Sequence, residues 1–139
     1  MRKLVLIPIA LLALAAFAMT SFAASNKVFT VKMTGAQETP KGASTGKGTA
    51  TITLEQSKGK VCFKETWSGI GTPTASHIHQ GKKGVAGPIV VPLYATPPKH
   101  SGCVKASKSL IGKIAKNPKG YYVNVHTKKF PAGAIRAQL

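Results

Sequence analysis

The chain has 139 residues with 20 lysines and arginines against three acids, a formal net charge of +17. Three glutamates are too few to furnish the paired carboxylates of general acid–base catalysis alongside structural roles, and no serine sits in a GxSxG elbow. A non-enzyme is therefore expected.

Met1-Arg2-Lys3 and the apolar run Leu4 to Met19, closed by Ser21-Phe22-Ala23, have the form of a secretory signal peptide over residues 1–23. The run is shorter than the roughly 20 residues of a membrane span. The 116 residues after Ala23 suit one exported domain, secreted or periplasmic, over residues 24–139. Losing Arg2 and Lys3 leaves +15, a charge that favours an anionic cell-surface polymer or another extracellular protein as partner. Scattered lysines with few aromatics argue against nucleic acid. Life in an acidic medium is the other reading of the charge.

Lys27 to Thr34 alternates, with Phe29, Val31 and Met33 on one face. A break at Gly35 to Pro40 and a Gly/Ser/Thr loop to Gly48 follow. Thr49 to Leu54 alternates again, turns at Ser57-Lys58-Gly59-Lys60, and returns as Val61 to Trp67. Cys62 is out of phase there, which suggests a bulge or an edge position. Thr74 to His79, Pro88 to Tyr94 and Cys103-Val104 are further short strands. Ser107 to Lys116 is the one helix, capped by Ser107 and ended by Asn117-Pro118. Tyr121 to His126 alternates Tyr121, Val123 and Val125 against Tyr122, Asn124 and His126, and Ala134 to Leu139 is the last strand. The expected fold is an all-β, antiparallel, Greek-key-like β-sandwich of seven to eight short strands with one short helix. Each sheet should bury one face and turn a lysine-rich face to solvent. Cys62 and Cys103, the only cysteines, pair most simply as a disulfide in an oxidising compartment; free thiols or metal ligation are the alternatives.

Residues two apart on a strand share a face at about 6.5 Å, so His77 and His79 present both imidazoles together. If their strand neighbours that of His126, three imidazoles converge, a set suited to copper or zinc. Glu38 is the candidate fourth ligand or supporting partner, and Asn124 and Arg136 are candidate polar neighbours. The competing use of such histidines is hydrogen bonding to packed carbonyls. His100, in a proline-rich loop, reads as a surface residue.

Two stretches, HIHQGKKGVAGPIVVPL from His77 and NPKGYYVNVHTKKFPAGAIRAQL from Asn117, resemble the CHRD domain, a module of exported proteins. GAQETP at Gly35 to Pro40 and the two cysteines add to the resemblance, and Ala137 departs from it where the family usually has glycine. The resemblance implies an extracellular β-sandwich module, and it carries fold and compartment further than function.

Overall fold

A computed structural model describes residues 26–139; the expected leader at 1–23 lies outside them. Among the described residues eight strands form: β1 (Lys27–Thr34), β2 (Lys47–Glu55), β3 (Lys60–Ser68), β4 (Pro73–Gln80), β5 (Ile89–Ala95), β6 (Ser101–Lys105), β7 (Tyr121–Thr127) and β8 (Ile135–Gln138). One α-helix, α1 (Lys108–Lys116), lies between β6 and β7. Every expected strand is present, with ends moved by one or two residues.

All pairings are antiparallel, in the order β5-β4-β7-β8-β1-β2-β3-β6. The sheet is one continuous ribbon, but only Thr34 opposite Arg136 registers β1 with β8. It bends there into two halves, β5-β4-β7-β8 and β1-β2-β3-β6, which face each other as a nearly closed sandwich. The chain crosses between the halves after β3, after β5 and again after β6, which gives the Greek-key character. The edge strands β5 and β6 come near each other without pairing.

The alternation decides what lies inside. Met33, Ala50, Ile52, Leu54, Val61 and Phe63 of one half meet Ile78, Val91, Leu93, Val123, Val125 and Ile135 of the other. Burying a side chain of this size contributes about 1.5–3 kcal/mol each. Helix α1 adds Ile111 and Ile114 to the same core. Ser107 is extended and its Oγ accepts from the Leu110 amide at 3.1 Å, satisfying one of the helix's unpaired amides. Lys113 and Lys116 in the last turn complement the helix dipole before Pro118 ends it.

Glu65 is in phase with Val61 and Phe63, and so is carried into this core, where it is 1% exposed. Its Oε1 accepts from Ser76 Oγ at 2.7 Å, and the Tyr94 hydroxyl lies against it. Glu65 belongs to β3, Ser76 to β4 and Tyr94 to β5, so this polar group fastens the side of the sandwich opposite the β1–β8 bend. Burial pushes the Glu65 carboxyl up to about 7, against the lowering pull of Ser76 and Tyr94.

Two expectations need correction. The register runs unbroken through Cys62, which faces outward on β3 and pairs with Cys103 of the edge strand β6 in a disulfide. Cys62 is out of phase because it belongs to the outer face; there is no bulge there, and β3 is not an edge. The second concerns the faces turned from the core. On β1-β2-β3-β6 that face is lysine-bearing and exposed. On β4-β7-β8 it is buried, because loops roof it.

Candidate metal centre

The β4–β7 register sets His77 opposite Asn124, His79 opposite Tyr122 and Ala75 opposite His126. Residues opposite each other share a face, so all three histidines stand on the side turned from the apolar core. On β8, Arg136 lies opposite Asn124 and Gln138 opposite Tyr122, extending the same polar face. Asn124 and Arg136 are each 1% exposed, His79 7% and His126 9%.

The roof is the segment after β4, residues 81–88. Arg136 donates to the Val85 carbonyl at 2.8 Å and to the Lys82 carbonyl at 3.0 Å, while its guanidinium lies 3.3 Å from the centre of the Tyr122 ring. Gln138 Nε2 donates to the carbonyls of Gly81, Lys119 and Tyr121. The Gly87 amide donates to the Tyr122 hydroxyl at 3.1 Å. A Cβ at Gly87 would collide with the Gln80 carbonyl, so only glycine lets the loop fold this closely onto the strand.

These contacts also fix the histidine tautomers. A carbonyl oxygen only accepts, so His79 Nδ1, 2.8 Å from Gly87 O, carries a proton, as does His126 Nδ1, 2.9 Å from Pro131 O. The Nε2 atoms of both rings are then bare in the neutral form. His126 Nε2 accepts from His77 Nδ1 at 3.0 Å. His79 Nε2 is buried and has no hydrogen-bond partner among the described residues. One ring nitrogen from each of the three histidines lies within 4.8 Å of the others, and among the described residues no other trio of histidine, cysteine or acidic side chains meets in this way.

Burial holds all three imidazoles neutral. The His77 pKa is lowered to about 4, first by desolvation and then by the neighbouring His126 and His79. His79 is lowered by desolvation against the raising pull of Gly87 and Asn124, and His126 by desolvation against Pro131. A cluster that resists protons keeps its lone pairs for another Lewis acid.

Glu38 stands outside the trio. Its carboxyl packs against Gly133, whose φ of +138° and lack of a Cβ make room for it, beside the Asn124 side chain and within the field of the Arg136 charge. Burial pushes it up to about 7, against the Asn124 amide, the Arg136 charge and the Thr39 amide. Among the described residues Glu38 Oε1 and Asn124 Oδ1 are buried without hydrogen-bond partners, like His79 Nε2. His100 is exposed as expected, stacked on Trp67 at 4.1 Å with Nδ1 donating to the Glu65 carbonyl. Sequence reasoning missed Tyr122 and Gln138, although both are in phase with residues it did select.

Among the described residues no helix is long and apolar enough to cross a membrane. Neither the curated proteins nor the solved structures contain a significant match to the chain. The family model of the CHRD domain matches residues 29–139, nearly everything from β1 to the C-terminus and both stretches that build this centre. The chain belongs to the CHRD domain family.

Proposed function

We propose that this member of a family of small non-enzymatic binding modules is an exported metal-binding protein, taking copper or zinc on His77, His79 and His126. One observation carries the reading: among the described residues His79 Nε2 is a buried lone pair with no hydrogen-bond donor, in a trio whose three candidate ligand nitrogens lie within 4.8 Å of one another. A buried acceptor without a partner costs about 1–3 kcal/mol, and a bound cation removes that cost. The hydrogen bonds that His79 and His126 make through Nδ1 are those that orient metal-ligating imidazoles elsewhere. They make the two uses weighed for these histidines compatible, carbonyl bonding through one nitrogen and ligation through the other. His77 joins by moving its proton from Nδ1 to Nε2, which requires no net charge change. A three-nitrogen site leaves a fourth position for water or an external ligand.

The test is metal titration of an untagged chain beginning at Ala24, against a competing chelator, with metal content read by mass spectrometry. Wild type should take up one Cu²⁺ or Zn²⁺ per chain. H79A and the H77A/H79A double mutant should lose it, and H100A should keep it. A double mutant that binds as tightly as wild type defeats the assignment. A second reading stands on charge: with two of the three acids buried, the exposed lysines favour an anionic or protein partner outside the cell.

A further inference from the structure

The outer face of β1-β2-β3-β6 is left open by the loops that cover the opposite half, with its lysines exposed and its central threonines half-buried. Alternation places Lys32 of β1, Lys47 of β2, Lys60 and Lys64 of β3 and Lys105 of β6 on it. Between them runs a band of hydroxyls: Thr49, Thr51 and Thr53 along β2, flanked by Thr30 on β1 and Thr66 on β3. The Thr30 and Thr51 hydroxyls lie 3.2 Å apart across the strands. With strands about 4.8 Å apart and same-face residues about 6.5 Å apart, Lys32, Lys47 and Lys64 are spread at intervals of about 8–14 Å. Glu55 is the one carboxylate side chain on this face, and Lys58 engages it at 3.3 Å. Glu38 and Glu65 are buried elsewhere, so Lys32, Lys47 and Lys64 have no acidic side chain facing them. A shallow hollow of about 440 Å³, bordered by Lys32, Lys47, Thr49, Thr66 and Trp67, opens at one end of the band.

We infer that this face is a docking surface for an anionic polysaccharide, its acid groups on Lys32, Lys47 and Lys64 and its sugar hydroxyls along the threonine band. The inference rests on the charge-based reading above and is independent of the histidine centre. Charge complementarity names the sign of the occupant, and the rest of the face narrows its class. Lysines without arginines, and a single bordering aromatic, do not suit stacked bases. Val28 is the one large apolar side chain standing open on the face, too little to enter a lipid surface. A row of hydroxyls at the two-residue strand repeat, between point charges, matches a chain that repeats both groups.

The test uses the untagged chain from Ala24 with chelator present, titrated with polygalacturonate, with neutral dextran and with vesicles of anionic phospholipid, at low salt of about 20 mM and at about 150 mM. Two variants remove the same charge: K32Q/K47Q/K64Q on the face, and K113Q/K116Q/K119Q around the helix. Wild type should bind polygalacturonate and not dextran at low salt. The face variant should weaken that binding by about tenfold or more, the helix variant by less than about threefold. Unchanged thermal unfolding would show both variants folded. Equal weakening by the two variants overturns this face while sparing the charge-based reading. No binding to polygalacturonate at low salt overturns the inference, and no binding to the anionic vesicles either overturns the anionic-partner reading on which it rests. Vesicle binding tighter than polygalacturonate binding overturns the polysaccharide in favour of a lipid surface.

Discussion

Replacing Glu65 by Gln should stabilise the protein at pH 8 and change little at pH 4.5. In the unfolded chain this carboxyl titrates near 4.5; inside the sandwich it is pushed up to about 7. A folded pKa above the unfolded one means that the interior favours the protonated form. The stabilising contribution is complete below 4.5 and is lost as pH rises through 7. At about 1.36 kcal/mol for each pH unit between those values, the loss is about 3 kcal/mol. Glutamine keeps the shape and stays neutral, its oxygen accepting from Ser76 and its amide facing the Tyr94 hydroxyl. The difference between E65Q and wild type should therefore grow from near zero at pH 4.5 to about 3 kcal/mol at pH 8. With a urea m-value of about 1–3 kcal/mol/M, the unfolding midpoint at pH 8 moves upward by roughly 1–3 M. Urea melts at pH 4.5, 6 and 8, disulfide intact and chelator present, read the difference directly. A difference independent of pH, or a mutant less stable at pH 8, would refute the account of a protonated clasp.

Arg136→Lys should cost about 2 kcal/mol and speed tryptic cleavage after Lys82 and Lys83, because an ammonium cannot hold both roof carbonyls and cover Tyr122. Cleavage at the wild-type rate would show that the roof is held by other contacts. Removing the Cys62–Cys103 bridge with C62A/C103A should cost about 4 kcal/mol from the loop of 41 residues it closes, measured by denaturant melts. His77→Gln tests the neutral imidazole. Its folded pKa of about 4 lies below the unfolded 6.5, so its contribution is whole above pH 6.5 and is lost as pH falls from 6.5 to 4. Allowing for its partial exposure, wild type in chelator should lose about 2 kcal/mol relative to the mutant across that window. A constant difference would contradict it.

Strand period made much of this legible. It placed His77 and His79 on one face and His126 on the polar side of its own strand, and a β4–β7 pairing was enough to bring them together. What period does not reveal is whether a polar face is open. Tyr122, Asn124 and Arg136 read as solvent-facing because alternation sets them against an apolar face. Tyr122 and Arg136 are covered by a loop 35 to 54 residues away in sequence, pinned by bonds to its backbone, and Asn124 is backed by Glu38. Glu65 was the opposite case. Its phase with Val61 and Phe63 already put it inside, and only its charge argued otherwise. Glu38 was selected for its nearness to a family stretch, and the fold instead seats it beside Gly133, behind Asn124.

The sandwich stops just short of closing, and its two free rims are guarded differently. Along β5, Pro92 withholds one amide, and the register with β4 slips twice, so another chain meets an irregular template. β6 is five residues long, ends in Lys105, and is stapled to β3 through Cys103. Under reducing conditions that staple opens, and release of β6 would bare the nine-residue strand beneath it, with its regular ladder of unpaired amides and carbonyls. The bridge thus keeps a strand edge covered as well as tying the fold, and that cover is unsecured until oxidation is complete.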